Sequence, residues 1–270
     1  MNSAAEAIKG ILFKSAWLTA ALRQVRVLLY YLRGKPHEAD FNFLRSPVFS
    51  SGLLLDLGAN IGQSAISVAA VQPGLRVESI EANPACEPGL KTAAFLLGKR
   101  RRFHYRVVGV GARTGVLAFH VPVRSSRMLL QEGTFDAESL LSAACVARMG
   151  VRDRDYTVTV ISIPMVTVDS LNLSPRVVKM DLQGLELAAL SGMEQTLARS
   201  RPVLMIEIGE HHDDIVKVLL AHGYARYHWD GAQLRPGVRA DTLNAIFIAK
   251  GDPAWPLQPP QCPEVGAAAA

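Results

Sequence analysis

Short apolar runs alternate with segments of helical periodicity along most of the chain. The run Leu53–Leu57 is followed by a glycine-spaced turn and then by a helical pattern that begins near Gly62. Such alternation is typical of a doubly wound α/β sheet. The pattern predicts strands over 53–57, 76–80, 103–108, 177–181 and 203–207, helices over 62–71, 86–97, 185–198 and 213–221, and closing strands over 225–228 and 243–249.

Residues 111–170 interrupt this alternation. The pattern there predicts shorter elements, namely strands over 116–121 and 158–163, a helix over 140–148, and a strand end at Pro164. Between the two strands, residues 122–156 are polar and loop-like, and their basic and acidic side chains balance. Long loops in compact domains are usually functional. We therefore interpret 122–156 as an insertion that covers the ligand of the main domain, which we place at 51–250.

Residues 1–50 form an N-terminal extension whose apolar side chains recur at helical spacing until Gly34 and Pro36 end the pattern. Basic side chains share the segment, so one interpretation is an amphipathic helix in peripheral contact with a membrane or a partner. The other is a helix packed on the domain edge or in a homodimer, which is the commoner use of an apolar stripe. At the other end, residues 251–270 are rich in proline and alanine and predict a disordered tail.

Composition narrows the class of protein. The chain has 270 residues, of which 49% are hydrophobic, enough for a sizeable core. Its three cysteines are far apart and form no CxxC, so we expect neither disulfides nor zinc, and a reducing, cytoplasmic location. The formal charge of +5 allows an anionic partner, but basic and aromatic residues are not interleaved as nucleic-acid binding requires. Neither a membrane span nor a signal peptide is indicated.

The turn after the first strand indicates a cofactor site. It reads Asp56-x-Gly58-x-Asn60-x-Gly62, and Glu81 follows 19 residues after the last glycine. An acid at that distance suits the hydroxyls of an adenosine ribose. A dinucleotide loop needs a further glycine where Asn60 stands, and an acid at Asp56 would repel a pyrophosphate. The amino group of a methionine moiety would be attracted instead, so the loop favours S-adenosylmethionine.

Acids end four of the predicted strands, at Asp56, Glu81, Asp181 and Glu207. Ligands of open α/β sheets bind beyond the carboxyl ends of the strands. Lys179 stands two residues before Asp181 and so shares its face of the strand. This pair is either a structural ion pair or a base tuned to deprotonate a hydroxyl.

Four residues are candidates for the general base, in the order Asp181, Glu207, Lys179 and His211. Glu186 lies in the first turn of the next predicted helix, where a carboxylate suits the helix dipole, and we favour a structural role for it. The run 211–214, His-His-Asp-Asp, could ligate a divalent cation, but helix capping is the commoner use of such residues, so we predict no metal.

Three blocks of the sequence resemble the FkbM family of methyltransferases. They are residues 56–62, residues 81–84 (Glu-Ala-Asn-Pro) and residues 179–186 (Lys-Met-Asp-Leu-Gln-Gly-Leu-Glu), of which the last is the most specific. The resemblance covers roughly residues 50–250. It implies a class I methyltransferase fold, Rossmann-like with about seven strands, and transfer of a methyl group from S-adenosylmethionine to a hydroxyl of a sugar, a glycan or a secondary metabolite.

The same resemblance assigns the cofactor contacts. The methionine and ribose would be lined by Asp56, Gly58, Asn60 and Gly62, the ribose hydroxyls held by Glu81 with Asn83 beside it, and the adenine flanked by residues 108–111, including Val108 and Gly109. The expected acceptor is a small molecule or carbohydrate. Methyl transfer to RNA or protein, or a membrane-docked accessory role based on residues 1–50, are the alternatives.

Overall fold

The computed structural model describes residues 16–98, 102–124, 127–130, 133–141, 156–209, 211–239 and 242–254. Its α-helices are α1 (Ala16–Arg33), α2 (Gln63–Val71), α3 (Glu87–Leu97), α4 (Glu186–Ser191), α5 (Glu194–Ser200) and α6 (His212–Ala221). Its strands are β1 (Leu53–Leu57), β2 (Arg76–Glu81), β3 (Phe103–Val107), β4 (Gly109–Val110), β5 (Gly115–Arg124), β6 (Arg127–Met128), β7 (Thr157–Val166), β8 (Val177–Met180), β9 (Val203–Glu207), β10 (Tyr224–Trp229), β11 (Leu234–Pro236) and β12 (Asn244–Ala249).

An eight-stranded sheet in the order β11-β10-β12-β9-β8-β1-β2-β3 organises the described residues. β12 runs antiparallel to both of its neighbours, whereas the strands from β9 to β3 pair in parallel. From β1 the next strands along the chain, β2 and β3, lie on one side, whereas β8 and β9 lie on the other side. The order of the strands therefore reverses between β1 and β8. The carboxyl ends of these two strands therefore form the topological switch point at which such sheets bind ligands.

Helices cover both faces of this sheet, as predicted for a doubly wound fold. One buried cluster joins α1, α2 and α3 to the face of β1 that carries Leu54. The other joins α4, α5 and α6 to the face that carries Leu55. Because successive side chains of a strand point to opposite faces, a strand covered on both sides reads as a continuous apolar run, as Leu53–Leu57 does.

Part of the region predicted as a polar cover is regular strand instead. β4, β7, β5 and β6 form a second, four-stranded sheet, so the loop-like interpretation is wrong for residues 122–124 and 127–128. Pro164 does not end the strand, because β4 pairs with β7 only from Met165 onward and leaves Pro164 with an edge character. Only a short 3₁₀ turn, Glu138–Leu141, is described at the predicted helix over 140–148, whose residues from 142 on lie outside the described residues.

The small sheet packs over the loops that follow β2 and β8. Its apolar core is formed by Phe119, Val121, Ile163 and Met165, against which Ala82 and Leu185 pack. The side chain of Asn83 also donates a hydrogen bond of 2.6 Å to the carbonyl of Leu130. This sheet therefore lies at the carboxyl edge of the large sheet.

The N-terminal segment packs on the large sheet and its helices. α1 lies against α3 and α2, as predicted for a helix on the domain edge, while residues before Ala16 lie outside the described residues. Two 3₁₀ turns, Ala39–Arg45 and Pro47–Phe49, follow it and bury Phe41, Phe43, Leu44 and Phe49 in the same core as Leu54. The domain boundary at residue 50 stays a prediction.

Three further details differ from the sequence-based elements. The helix expected over 185–198 is two helices, α4 and α5, with Gly192 and Met193 between them. The edge strand β11 was not predicted. The prediction of a disordered tail is wrong for residues 251–254, because Asp252 forms a bidentate ion pair with Arg176 at 2.7 and 2.8 Å.

None of the described helices has the length and apolar character that crossing a membrane demands.

Candidate functional site

Polar side chains line one face of the large sheet near the carboxyl ends of its parallel strands. Asp56 pairs in register with Ser79 of β2 on one side and with Lys179 of β8 on the other. Residues in register point to the same face, so these three side chains form one row. Lys179 pairs in register with Met205 of β9. Asp181 and Glu207 each follow one of these two residues by two positions, so they form a second row at the ends of β8 and β9. The fold thus brings together three of the four predicted catalytic residues.

The loop between β1 and α2 approaches the end of β8 very closely. Gly58, Asn60 and Gly62 all have left-handed backbones, with φ of 85°, 49° and 95°. A Cβ on Gly58 would lie 1.8 Å from the backbone oxygen of Asp181, a distance that no side chain can accommodate. Glycine is therefore required at this position by contact as well as by conformation.

The backbone donors of this loop are satisfied within the protein. The N–H groups of Gly58 and Ala59 donate to the carbonyl of Ile80 at 2.9 and 3.1 Å, and that of Asn60 donates to Oε2 of Glu81 at 2.7 Å. A dinucleotide-binding loop aims such groups at a pyrophosphate. This loop is not built as a phosphate cradle.

Glu81 fixes two loops with one carboxylate. Its Oε2 accepts the bond from Asn60, and its Oε1 accepts a 2.7 Å bond from the N–H of Asn83. Burial raises the pKa of Glu81 above its ordinary value, although these two backbone bonds oppose the shift. A carboxylate has about four acceptor sites, so roughly half of its capacity remains for hydroxyl groups of a ligand.

Asp56 lies beneath the loop and is fully buried. Its Oδ2 accepts a 2.8 Å bond from the hydroxyl of Ser79, while its Oδ1 has no partner among the described residues. Burial raises the pKa of Asp56, and the charge of Lys179 and the bond from Ser79 oppose that shift. A direct contact of Asp56 with a methionine amino group stays a prediction.

Lys179 is the buried cation of the group. Its side chain is 2% exposed, and its Nζ lies 3.1 Å from Oδ2 of Asp181. Burial lowers the pKa of Lys179, but the carboxylates of Asp56, Asp181 and Glu38 outweigh it and raise the pKa above its ordinary value. Lys179 is therefore protonated at neutral pH, and its role is to neutralise the surrounding carboxylates.

Asp181 and Glu207 have pKa values that are shifted in opposite directions. Burial raises the pKa of Glu207 to about 8, and its hydrogen bond to Asp181 and the charge of that carboxylate add to the shift. The pKa of Asp181 is lowered: burial opposes ionisation, but Lys179, Glu207 and Gln183 together stabilise the charged form. Near neutral pH the proton belongs to Glu207, and Asp181 is the ionised member of the pair.

The 181–186 block explains how Asp181 is presented. Gln183, with a left-handed φ of 52°, donates from Nε2 to Oδ1 of Asp181 at 2.8 Å and to Oε2 of Glu207 at 3.3 Å. Glu186 accepts bonds from the N–H groups of Leu182 at 2.7 Å and Gly184 at 3.0 Å. Glu186 therefore holds the loop, a structural role.

The N-terminal segment supplies site residues that sequence reasoning missed. The amide of Asn244, which pairs in register with Glu207, donates to Oε2 of Glu38 at 3.0 Å and to Oδ2 of Asp40 at 2.9 Å. His37 lies 3.1 Å from the other oxygen of Glu38. No sequence signal links Glu38 to Asn244, because they stand 206 residues apart and follow no shared motif.

Other predicted site residues lie elsewhere. His211 is exposed at the start of α6, whereas His212 is buried near the ring of Phe247, on the opposite face of the sheet. Gly109 belongs to β4, where a Cβ would lie 2.2 Å from the sulfur of Met165. The described residues contain no group of three or more His, Cys, Asp or Glu side chains arranged to hold a metal ion.

Two predicted cofactor contacts have structural bonds of their own. The N–H of Val108 donates to the backbone carbonyl of Glu81 at 2.9 Å, which joins the end of β3 to the end of β2. The side chain of Asn83 accepts from the N–H of Ala85 at 2.9 Å and donates to Leu130. Contact of either residue with a cofactor stays a prediction.

Comparison with known proteins identifies the family. A sequence model of the methyltransferase FkbM domain matches residues 56–225, a range that contains the whole of this cluster apart from Glu38, Asp40 and Asn244. The chain belongs to the FkbM methyltransferase family. The FkbM match confirms the resemblance that the three sequence blocks indicated. A comparison with curated proteins finds no match.

Methyltransferases are among the solved structures that are similar to this FkbM chain. One is the methyltransferase FkbM from Methylobacillus flagellatus KT, with 18% identity and a TM-score of 0.47 over 73% of this chain and 44% of that one. This chain thus spans less than half of that protein. Another is a TehB-like SAM-dependent methyltransferase from Corynebacterium glutamicum ATCC 13032 Kitasato, with 12% identity and a TM-score of 0.42 over 86% and 97% of the two chains.

Proposed function

We propose that this FkbM protein transfers a methyl group from S-adenosylmethionine to a hydroxyl of a carbohydrate or secondary metabolite. The observation that carries the proposal is the pair of carboxylates at the switch point, where the amide of Gln183 donates to Asp181 at 2.8 Å and to Glu207 at 3.3 Å. A carboxylate that is ionised at neutral pH and held in one orientation can accept the proton of a bound hydroxyl. The family membership supports methyl transfer, and the acceptor class is our inference.

The residues around the loop after β1 fit S-adenosylmethionine. Glu81 keeps acceptor capacity for ribose hydroxyls, Asp56 has a carboxylate oxygen without a partner, and the loop offers few free donors to a phosphate. These features suit a cationic, phosphate-free nucleoside better than a dinucleotide. When bound, S-adenosylmethionine supplies a methyl group that its sulfonium already activates.

The protein has two tasks in such a transfer. It must hold the acceptor oxygen in line with the methyl group, and positioning of this kind supplies much of an enzyme's rate. It must also take the proton of the hydroxyl, which we assign to Asp181. Lys179 fixes one oxygen of Asp181 at 3.1 Å and Gln183 fixes the other at 2.8 Å, so the base is held in one orientation.

We assign the acceptor side of the site to Glu207, Asn244 and Glu38. These side chains adjoin one another across β9, β12 and the N-terminal segment. Their carboxylate and amide groups suit the hydroxyls of a polyhydroxylated molecule. The small sheet of β4 to β7 lies over the neighbouring loops and would limit the size of the acceptor.

Methyl transfer from S-adenosylmethionine with a labelled methyl group tests the acceptor class. The full chain would be incubated with panels of sugars, nucleotide sugars and polyhydroxylated metabolites, and with RNA and protein as the alternatives. Mass spectrometry should find the label as a methyl ether. Label recovered only on RNA, on protein or on nitrogen would contradict the proposal.

Glu81→Ala is expected to weaken S-adenosylmethionine binding by about 10–100-fold, the range lost when charge-assisted hydrogen bonds are removed. Calorimetry should give a micromolar Kd for the wild type. Glu194, an exposed acid of α5, provides the matched control, and its alanine variant should bind normally. Equal binding by Glu81→Ala and wild type would exclude Glu81 from the cofactor site.

Stability should fall as pH rises through the range in which Glu207 loses its proton. The folded protein holds this proton more tightly than the unfolded chain, whose carboxyl titrates near the ordinary 4.5. The contribution of Glu207 is therefore complete below 4.5 and is lost as pH rises through about 8. Glu207→Gln keeps a donor toward Asp181 without a proton to lose.

The measurement is the melting temperature of wild type and Glu207→Gln across this pH range. The variant should show a flatter decline than the wild type, and Glu194→Gln should follow the wild type. Parallel curves for wild type and Glu207→Gln would mean that the proton resides elsewhere.

A further inference from the structure

Helix α1 presents an apolar stripe to solvent. Leu22, Val25, Leu29 and Leu32 follow one another at intervals of three and four residues and so lie on one face of the helix. Leu29 is 48% exposed and Leu32 is 68% exposed. A contiguous row of exposed apolar side chains marks an interaction surface.

The opposite face of α1 is anchored to the domain. Val27 is fully buried in the core shared with the large sheet, and the guanidinium of Arg23 donates to the carbonyl of Ala85 next to α3. The helix therefore has a fixed orientation, with its apolar stripe turned away from the protein.

The borders of the stripe are basic. Between Ala16 and Arg33 the helix contains no acid, while Arg26 and Arg33 each stand one turn after a leucine of the stripe. Just beyond the helix, a pocket of about 550 Å³ is lined by Tyr30, Arg33, Lys35, Pro36 and His37. Among the described residues, Arg26, Arg33 and Lys35 form no ion pair with a carboxylate.

We propose that α1 docks the protein on the surface of a bilayer that contains anionic phospholipids. The leucine stripe would lie in the interface, and Arg26, Arg33 and Lys35 would meet phosphate groups, with the pocket receiving a headgroup. Charge favours a bilayer over a second copy of the chain. Paired α1 helices would bring Arg26 and Arg33 together without an acid to balance them.

The docking face adjoins the acceptor side of the proposed site. His37 lines the pocket, and its ring lies 3.1 Å from Glu38, which the amide of Asn244 holds beside Glu207. A headgroup in the pocket would therefore lie close to the catalytic cluster. The docking proposal itself does not depend on methyl transfer and can be tested without S-adenosylmethionine.

Vesicle co-sedimentation of the full chain tests the proposal. One set of vesicles is pure phosphatidylcholine, and the other is equal parts phosphatidylcholine and phosphatidylglycerol. We expect the protein to sediment with the anionic vesicles and to be released by added salt, because surface charges are screened. Failure to bind the anionic vesicles, or equal binding to both kinds, would overturn the proposal.

Two double variants separate the apolar and the charged contributions. Leu29→Gln with Leu32→Gln should weaken vesicle binding by about tenfold or more, since two leucines no longer enter the interface. Arg26→Gln with Arg33→Gln should weaken vesicle binding by about 30-fold, which is the combined effect of removing two cations that each make the usual contribution near an anionic surface.

Matched controls come from exposed residues elsewhere on the chain. Leu220→Gln on α6, whose leucine is 52% exposed, and Arg113→Gln should bind vesicles like the wild type. Melting curves check that each variant is folded. Light scattering distinguishes the other occupant, a second copy of the chain. If the wild type is a dimer that does not bind vesicles, and the variant with Leu29→Gln and Leu32→Gln is a monomer, the stripe is a dimer interface and the proposal is overturned.

Discussion

Asp181→Asn is expected to lower the rate of methyl transfer by about 10²–10⁴-fold, the usual contribution of a general base. The variant keeps the shape of the side chain and the bond to Gln183 can be re-formed, but an amide cannot take the proton of a hydroxyl. Asp181 adjoins the loop of Gly58 through its backbone oxygen rather than its carboxylate. Binding of S-adenosylmethionine should therefore change little.

The measurement is kcat together with the Kd for S-adenosylmethionine from calorimetry. Asp213→Asn, at an exposed acid of α6, serves as the control for loss of one carboxylate and should be fully active. If turnover and cofactor affinity fell by the same factor, Asp181 would be a binding residue and the base would have to be sought at Glu207.

Gly58→Ala should be the most destabilising substitution in the loop after β1. The left-handed backbone costs a side chain about 1–2 kcal/mol, and the contact with Asp181, at 1.8 Å, forces the loop away from β8. With about 1–3 kcal/mol more for overpacking, we expect a total loss of about 2–5 kcal/mol in the free energy of unfolding. Because the loop moves, the affinity for S-adenosylmethionine should fall as well.

Gly184 provides the matched control for conformation without contact. Its φ is 101°, yet nothing lies within 4 Å of a Cβ built there. Gly184→Ala should therefore lose only the conformational part, about 1–2 kcal/mol. Urea unfolding of both variants measures the difference, and equal losses would show that the loop has room for a side chain beside Asp181.

Local patterns predicted the parts of the site that depend on neighbours in the chain. The run Leu53–Leu57 forms the central strand as expected, since a strand covered on both faces needs apolar side chains at successive positions. Lys179 and Asp181 share a face, because the two-residue period of a strand requires it. The spacing of Gly58 and Gly62 after Asp56 was also predictable, because a single turn requires positive φ at both positions.

Pairing between distant segments could not be predicted in the same way. The small sheet depends on the pairing of β5 with β7, and no local pattern in either strand specifies its partner or its register. Pro164 lies within β7 although proline usually ends a strand, because among the described residues only β5 pairs with it there. Position 192 has no room for a side chain because the backbone of Gly111, eighty-one positions earlier, lies against it.

The sequence by itself determined the family, the alternation of strands and helices, and the acids at the strand ends, because these follow from side-chain periodicity and from short motifs. Only the tertiary structure decided what the acids do. The pKa values of Glu207, Asp181 and Lys179 depend on one another across neighbouring strands. Glu38 also interacts with this group, although it lies 206 residues before its hydrogen-bond partner Asn244. Ionisation in a buried cluster is set by the distances between groups, and the fold alone fixes those distances.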